Sequence, residues 1–408
     1  MKRVLQINTV YNTGSVGRIM AGLYDFAQKD GYNSYVAFSR SDVPDGINGY
    51  RIGNKIDFLE HVSKDIFFDK SGFGSEKETE KFIKWIDRIK PDIIHLHNIH
   101  GFYIQVELLF DYIKKKNIPV IWTFHDCWPM TGHCASIEYI DCDKWQTGCE
   151  HCTQHLQSYP YSITDNSREN YKRKKAAFSN VENMTIVTPS KWLADKVKLS
   201  YFSKYPINII PNGIDTDMFR ALGNNGTHPL NEHRHIILGV ANVWSDRKGL
   251  KYFEQLAGII DDSYVIYLVG INNYQLRYFS KRYSGKIQGI THTDSINDLV
   301  DLYNNALCYV NLTLEDNFPT TNLEALACGT PVITFRTGGS PESIDEGTCG
   351  YVVDKGRVNL VYEKIEIILN KGKEWYTEKC RSKALQYSQY KRCGEYIELY
   401  GRILENVE

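Results

Sequence analysis

Short apolar runs alternate with longer amphipathic segments through the first half of the chain. Runs rich in branched residues and closed by polar loops predict buried strands at "RVLQIN" (3–8), "SYVAFS" (34–39), "PDIIHLH" (91–97), "PVIWTFHD" (119–126), "MTIVTPS" (184–190) and "INIIPNGI" (207–214). Helical spacing predicts helices between them, at 19–29, 76–90, 108–117, 168–178 and 191–199. Strands that alternate with helices predict a parallel sheet covered on both faces.

The alternation starts again after the polar stretch "ALGNNGTHPLNEHR" (221–234), which is typical of a linker. Further strands are predicted at 235–243, 264–270, 286–290, 307–313 and 331–335. The pattern therefore predicts an α/β protein with two Rossmann-like doubly wound domains, residues 1–210 and 211–388. Ligands bind at the carboxyl ends of such strands, so two facing domains predict a site in a central cleft.

Composition excludes several classes of protein. The 408 residues are 42% hydrophobic and 24% charged, and a formal net charge of −1 gives no overall attraction to nucleic acid. The first residues turn polar too early for a signal peptide, and no apolar run approaches the roughly 20 residues that span a bilayer. We therefore expect a cytoplasmic protein. Two basic stretches, 114–116 and 168–178, predict either solvated helix faces or a peripheral contact with the inner face of the membrane.

The most informative motif is "NLTLEDNFPTTNLEALACGTPVITF" (311–335). A predicted strand ends near Thr313, a loop carries Glu315, and a helix begins at Thr320 or Thr321. The positive N-terminus of that helix is suited to bind a phosphate. Glu324 has two possible roles, because Thr321 and Glu324 fit a capping box as well as a binding site.

Several motifs together resemble the retaining family-four glycosyltransferases, which have the GT-B fold. "LEDNFPTTNLEALACGTPVI" is similar to their acidic donor-binding motif, and "NTGSVGR" (12–18) to their first-loop glycine motif. "PNGIDTDMF" (211–219) resembles the segment that enters the second domain, and "DRKGL" (246–250) the phosphate-binding Lys-Gly. With "HDCWPMTGHC" (125–134), the likeness is closest to capsule and exopolysaccharide enzymes of the colanic-acid type. The resemblance also implies that a final helix, 389–408, packs back on the first domain.

The resemblance implies roles for individual residues. Glu315 corresponds to the glutamate that contacts the transferred sugar, and His125 to the histidine near its anomeric carbon; these two are the predicted catalytic residues. Glu324 corresponds to the glutamate that holds the ribose, and Lys248 to the lysine that clamps the diphosphate. The predicted donor-binding residues are Gly14, Asn242, Arg247, Lys248, Asn317, Thr320, Thr321 and Glu324.

Two departures from the family pattern matter. Asn242 stands where many relatives carry an arginine, six residues before the lysine, so Arg247 is expected to supply that charge. Eight residues separate Glu315 from Glu324, where the commoner pattern has seven. Asp316 has the commoner spacing and is therefore an alternative to Glu315.

The activity implied is transfer of a sugar, with retention, from a UDP- or GDP-sugar to a glycan or lipid-linked oligosaccharide in surface polysaccharide synthesis. No metal ion is needed in catalysis if cationic side chains hold the diphosphate. Two alternatives stay open: a nucleotide-sugar isomerase or epimerase of the same fold, and a non-catalytic nucleotide- or glycan-binding protein.

A cysteine-rich segment (residues 125–152) holds Cys134, Cys142, Cys149 and Cys152. Four thiols in a long loop of a cytosolic protein favour a structural zinc site that orders a polar loop, with His133 and His151 as alternative ligands. Free thiols and disulfides are the other two interpretations.

Overall fold

A computed structural model describes residues 1–222 and 233–406, which divide into two compact units. Unit 1 comprises Met1–Pro211 and Arg392–Glu408, and unit 2 comprises Asn212–Lys391. Most of the predicted linker, residues 223–232, lies outside the described residues. Among the helices described, none is long and apolar enough to cross a membrane.

Unit 1 contains a seven-stranded parallel sheet. Its strands are β1 (Arg3–Ile7), β2 (Asn33–Phe38), β3 (Gly49–Arg51), β4 (Ile93–Leu96), β5 (Val120–Thr123), β6 (Met184–Thr188) and β7 (Ile207–Ile209). Its helices before the end of the chain are α1 (Gly14–Lys29), α2 (Lys55–Phe68), α3 (Glu76–Ile89), α4 (Val106–Lys116), α5 (Ser167–Phe178) and α6 (Lys191–Lys198). The strand order is β3-β2-β1-β4-β5-β6-β7. Side chains of successive strand residues point to opposite faces, so apolar runs supply a core on both sides.

Unit 2 contains a six-stranded parallel sheet. Its strands are β8 (His235–Val240), β9 (Tyr264–Val269), β10 (Ile287–Ile290), β11 (Cys308–Asn311), β12 (Val332–Phe335) and β13 (Gly350–Val353). Its helices are α7 (Leu250–Ile259), α8 (Asn273–Arg282), α9 (Ile296–Asn305), α10 (Thr320–Ala327), α11 (Val358–Lys371) and α12 (Glu374–Leu385). The order β10-β9-β8-β11-β12-β13 reverses direction beside β8, as in other doubly wound sheets.

The last helix, α13 (Gln389–Glu405), completes the core of unit 1. Its buried residues pack against one face of the seven-stranded sheet, in a cluster of Cys393, Tyr396, Leu399, Tyr400 and Leu404 with Val4, Leu23, Ile93, Ile121, Val187 and Ile210. The opposite face packs on α3 and α4 through residues such as Phe82 and Phe110. The first and last segments of the chain therefore share one apolar cluster.

The predicted fold class is confirmed: both sheets are parallel and flanked by helices. Several elements were not predicted, among them α2 and β13. Helix α2 leaves Ile56, Phe67 and Phe68 exposed, which blurs the helical pattern, and β13 is only four residues long. Strand β7 ends at Ile209, earlier than the predicted 214.

Candidate functional site

Three segments, which we call the unit 2 loops, follow strands of the unit 2 sheet: 245–249 after β8, 312–319 after β11 and 336–340 after β12. The first carries Arg247 and Lys248, the second carries Glu315 and Asn317, and Glu324 lies in α10. Glycines let these loops pack backbone against backbone. Gly249 has φ +77°, and a Cβ there would lie 1.9 Å from the Leu312 carbonyl oxygen. Gly338 has φ +55°, and its Cβ would lie 2.1 Å from the Asp316 carbonyl oxygen. Any larger residue at either position would separate the loops.

An ion pair and a charge-assisted hydrogen bond join two of these loops. Lys248 Nζ lies 2.8 Å from Asp316 Oδ2, and Arg247 Nη1 donates to the Glu315 carbonyl oxygen at 2.7 Å. Burial would raise the pKa of Asp316, but the charges of Lys248 and Arg247 outweigh it and hold that pKa below its usual value. Contacts within the protein therefore hold the charged Lys248, Arg247 and Asp316 side chains in place.

The two neighbouring acids lie in different environments. The Lys248 and Asp316 side chains retain 27% and 21% exposure, so their polar ends are accessible. Glu315 is only 3% exposed, and its carbonyl oxygen accepts from Thr313 Oγ1 as well as from Arg247. Asp316 is thus the acid in contact with the lysine of the predicted phosphate clamp.

The capping interpretation of Glu324 is wrong. Helix α10 begins at Thr320, its N-cap is Pro319, and no side chain caps it. Thr321 therefore lies inside the first turn, where it cannot serve as the cap of a box with Glu324. Instead Glu324 is buried and its Oε2 accepts from the Tyr303 hydroxyl at 3.1 Å.

The remaining predicted donor residues surround the start of α10 or follow β8. Asn317, Thr320 and Thr321 are partly exposed, and Asn242 is exposed two residues beyond β8. A polar chain that the sequence analysis missed holds α10 in place: Asn311 Nδ2 donates to Asn322 Oδ1 at 2.8 Å, and Asn322 Nδ2 donates to Ser343 Oγ at 3.0 Å.

The two predicted residues of unit 1, Gly14 and His125, lie at the carboxyl end of its sheet. Gly14 opens α1 with φ +65°, and a Cβ there would meet no heavy atom within 4 Å. His125 lies two residues beyond β5 and was expected within the strand. His125 Nε2 lies 3.0 Å from His97 Nδ1, and the two rings are stacked with centroids 5.3 Å apart.

His125 belongs to a group of uncharged imidazoles, of which His95 and His97 are buried and His125 is half-buried. Burial lowers the pKa of His125 to about 4, although Asp126 opposes the shift. Burial also lowers the pKa of His95 to about 3 and that of His97 well below its usual value. All three rings are therefore neutral near pH 7.

A second histidine contact beside His125 was also missed by the sequence analysis. His100 Nε2 lies 2.7 Å from Asp126 Oδ2, and the Trp128 amide donates to Asp126 Oδ1 at 2.9 Å. Burial would raise the pKa of Asp126, but the adjacent His100 outweighs it and the pKa is lowered. The signal available in the sequence was the repeated histidine of "HLHNIH" (95–100) after a buried strand.

The zinc site predicted at Cys134, Cys142, Cys149 and Cys152 is not supported. Among residues 1–222 and 233–406, no three His, Cys, Asp or Glu side chains are grouped so that they could hold a metal ion. The alternative ligand His133 contacts Asp69 instead, with 2.7 Å between Nδ1 and Oδ1. The disulfide interpretation is wrong, because all ten cysteines are free.

The cysteine-rich segment is ordered by its own apolar residues and by a buried lysine. The expectation of a purely polar loop failed because Trp128, Met130, Ile137 and Trp145 all enter the main core of unit 1. Lys174 is 1% exposed, and its Nζ donates to the carbonyl oxygens of Trp128 and Thr131 at 3.0 and 3.2 Å. Burial lowers the pKa of Lys174 to about 7.

Part of the basic stretch 168–178 therefore has a structural role. Lys174 is buried, and Arg173 pairs with Glu107. Arg168, Lys172 and Lys175 remain exposed on α5.

Two family models match the chain. Residues 16–218 match the model described as Glycosyltransferase Family 4, and residues 234–371 match Glycosyl transferases group 1. The matches leave out only the two ends of the chain and residues 219–233.

Individual relatives and structures agree with these matches. WcaC of Escherichia coli K12, assigned to colanic acid biosynthesis as a glycosyl transferase, is 22% identical over 97% of this chain and 99% of its own length. An N,N'-diacetylbacillosaminyl-diphospho-undecaprenol alpha-1,3-N-acetylgalactosaminyltransferase of Campylobacter jejuni is 26% identical over 43% of this chain and 47% of its own.

Two solved structures share the fold over the whole chain. Sucrose-phosphate synthase of Thermosynechococcus elongatus has a TM-score of 0.74 at 16% identity and covers 100% of both chains. Anabaena HepE in complex with UDP-glucose has a TM-score of 0.68 at 12% identity, covering 98% of this chain and 100% of its own. Taken with the family matches and the loops described above, these findings show that the chain belongs to the family-four glycosyltransferases of the GT-B fold.

Proposed function

We propose that this glycosyltransferase transfers a sugar, with retention of anomeric configuration and without a catalytic metal ion, from a UDP- or GDP-sugar. The observation that carries the proposal is the contact of Lys248 with Asp316 beside Arg247 and the start of α10. Cations and a helix N-terminus stabilise a departing diphosphate without a metal. The UDP-glucose complex of HepE, a protein of the same fold, supports a nucleotide-sugar donor.

The chemistry assigns a role to each loop. The bond between the anomeric carbon and the diphosphate oxygen breaks, the negative charge passes to the diphosphate, and the acceptor oxygen bonds to the anomeric carbon on the same face. The acceptor's hydroxyl proton passes to the leaving phosphate. Lys248, Arg247 and the α10 N-terminus with Thr320 and Thr321 stabilise the leaving group, and Glu324 holds the ribose.

The first acidic role is proposed for Asp316, with Glu315 as the competing assignment. The exposure of Asp316 and its contact with Lys248 support this, as does its spacing from Glu324. Gly14 and Asn317 are assigned to close approach of the diphosphate and sugar, and His125 to the transferred sugar. Arg247 is assigned the charge that Asn242 lacks.

The proposed acceptor is a lipid-linked oligosaccharide or glycan of surface polysaccharide synthesis, at the inner face of the cell membrane. The assignments of WcaC to colanic acid and of the Campylobacter relative to a diphospho-undecaprenol acceptor support this. The exposed Arg168, Lys172 and Lys175 are the residues we assign to a peripheral membrane contact.

The test is a panel of UDP- and GDP-sugars with an undecaprenyl-diphosphate-linked acceptor, with product configuration read by proton NMR. We expect transfer with retention that persists in the presence of EDTA. Inverted product, loss of activity with EDTA, or sugar interconversion without transfer would each contradict the proposal.

A pair of variants separates the two acids. Asp316→Asn is expected to reduce kcat/KM roughly a hundredfold, the size typical of losing one preorganised contact, and Glu315→Gln by less than tenfold. The reverse order would return the first acidic role to Glu315. Both substitutions preserve side-chain volume, so thermal melting of each variant serves as the folding control.

A further inference from the structure

A row of polar side chains crosses the sheet of unit 1 on the face that α13 covers. Gln6, His95 and Thr123 alternate along their strands with the apolar residues of the opposite face. Gln6 is the register partner of His95, and the alternation continues past the strand ends to His97 and His125. The row thus leads from the buried interior of the sheet to its carboxyl edge.

Two histidines of this row have separate partners. His95 Nδ1 lies 2.7 Å from the Tyr400 hydroxyl, and His95 Nε2 lies 2.8 Å from Thr123 Oγ1. His97 Nδ1 lies 3.0 Å from His125 Nε2, and His97 Nε2 lies 3.3 Å from Gln6 Oε1. His97 therefore contacts both His125 and the strand residue Gln6.

The His97 ring is also held through its backbone and by stacking. The His97 amide donates to the Ile7 carbonyl oxygen at 2.9 Å, and Trp122 Nε1 donates to the His97 carbonyl oxygen at 3.1 Å. Its ring lies over that of His95, with centroids 4.2 Å apart. A fully buried side chain with these contacts has little freedom to rotate.

Hydrogen-bond chemistry then determines where the protons are. A neutral imidazole has one N–H donor and one acceptor nitrogen. Because the Gln6 Oε1 atom only accepts, His97 carries its proton on Nε2, and its Nδ1 accepts. The partner of that Nδ1 must donate, so His125 carries its proton on Nε2 and its Nδ1 is the acceptor atom of the ring.

We propose that His97 is a positioning residue, which fixes His125 as the tautomer protonated at Nε2 and holds its ring in one orientation. The tautomer assignment depends on the geometry of unit 1 alone. Its consequence for transfer, that His97 sets the protonation and orientation of the imidazole assigned to the sugar, rests on the proposed function.

Nitrogen-15 NMR of histidine-labelled full-length protein tests the tautomer directly. The His125 ring signals are assigned by their loss in His125→Gln. We expect protonated Nε2 and unprotonated Nδ1 in the parent protein at pH 7.5. In His97→Leu, and in Gln6→Met should the first variant not fold, we expect a mixture of tautomers. Parent protein with His125 protonated at Nδ1, or variants with an unchanged tautomer, would overturn the proposal.

Tyr400→Phe is the matched control, because it removes one hydrogen bond from the neighbouring His95 and none from His97. The control should leave the His125 signals unchanged, and an equal disturbance would mean that general loosening, not His97, is responsible.

Kinetics complete the test. We expect His97→Leu to lower kcat roughly tenfold or more with donor KM little changed, because the His125 ring loses the contact that fixes its tautomer and its orientation. His97→Asn, whose amide lies near the Nδ1 position, should recover part of that loss. A mixed tautomer with unchanged kcat would overturn only the catalytic consequence, and absence of transfer in the parent protein would overturn only the proposed function.

Discussion

The two units handle ionisable groups in opposite ways at their candidate sites. The unit 2 loops keep charges and pair them, as Lys248 and Asp316 show. Unit 1 keeps the imidazoles of His95, His97 and His125 uncharged, because burial lowers their pKa values, and its lowered-pKa carboxylate, Asp126, contacts His100. A charged site matches a diphosphate, and a neutral site matches a sugar that is uncharged until the bond breaks.

The ion pair in unit 2 does not exclude a ligand. The ammonium group of Lys248 has three N–H donors, of which Asp316 Oδ2 uses one. The other two N–H groups can donate to a phosphate oxygen, while the carboxylate keeps the flexible lysine in place. The negative charge of Asp316 thus preorganises Lys248.

The largest expected effect is at Lys248. Lys248→Ala should reduce transfer at least about a hundredfold, because the leaving diphosphate loses a fixed positive charge worth roughly 3 kcal/mol in the barrier. Steady-state kinetics with saturating acceptor measures the change. The matched control is Lys251→Ala, which removes an exposed lysine three residues away. Equal losses in both variants would mean that unspecific charge, not the loop geometry, is responsible.

The second prediction concerns Asp65, a buried carboxylate of unit 1. Burial and the nearby Asp69 raise its pKa to about 7. Since the folded pKa exceeds the unfolded value of about 3.9, the folded protein binds the proton more tightly, and stability falls as pH rises from about 4 to 7. Asp65→Asn cannot ionise and should therefore escape this loss.

Urea unfolding at two pH values checks this prediction. At pH 8, Asp65→Asn should raise the free energy of unfolding by about 2 kcal/mol, less than the full pKa shift implies because the buried amide also needs partners. At pH 4, where Asp65 of the parent is protonated, this advantage should disappear and the parent should be the more stable protein. A variant less stable than the parent at pH 8 would show that the folded protein stabilises the charged carboxylate of Asp65, which contradicts the raised pKa.

The third prediction separates binding from stability at Glu324. Glu324→Gln keeps an oxygen that can accept from Tyr303, so melting temperature should hardly change. Loss of the charge should nevertheless raise donor KM about tenfold, or roughly 1.4 kcal/mol, if the carboxylate holds the ribose hydroxyls. Tyr303→Phe is the control for the buried hydrogen bond. A fall in stability with unchanged KM would assign Glu324 a structural role.

The smallest expected effect is at Gly14. A Cβ there meets open space, so Gly14→Ala is penalised only by its left-handed backbone, by about 1 kcal/mol. Gly258→Ala, which also meets open space but has no positive φ, should be neutral or slightly stabilising. Gly249→Ala should be worse than either, because its Cβ would collide with the Leu312 carbonyl. Denaturant unfolding of the three variants gives the order.

Much of the fold was predictable from local pattern. Buried runs such as 91–97 and 264–270 became strands because branched and apolar residues suit a sheet covered on both faces. Glu315 and Asp316 were also recognisable as site residues, because their motif lies at a fixed distance before the start of α10. What the pattern could not give was the pairing of Lys248 with Asp316, since 68 residues of chain separate them.

The interpretations that failed also have physical causes. The zinc prediction treated Cys134 and its neighbours as ligands in a polar loop, but Trp128 and Trp145 supply the loop with an apolar anchor. The alternative capping interpretation of Glu324 failed by two residues, because the N-cap is Pro319 and not Thr321. His97 was overlooked because a histidine in a buried strand looks structural until its partner is known.

The position of α13 has a consequence for how the protein is made. One face of the first unit, including Val4, Ile93 and Ile121, is covered by residues 393–404. Those residues leave the ribosome only after the whole of the second unit. The unit that is synthesised before the other is therefore completed after it, and during translation its apolar sheet face stays open to water or chaperones until residues 393–404 have been made.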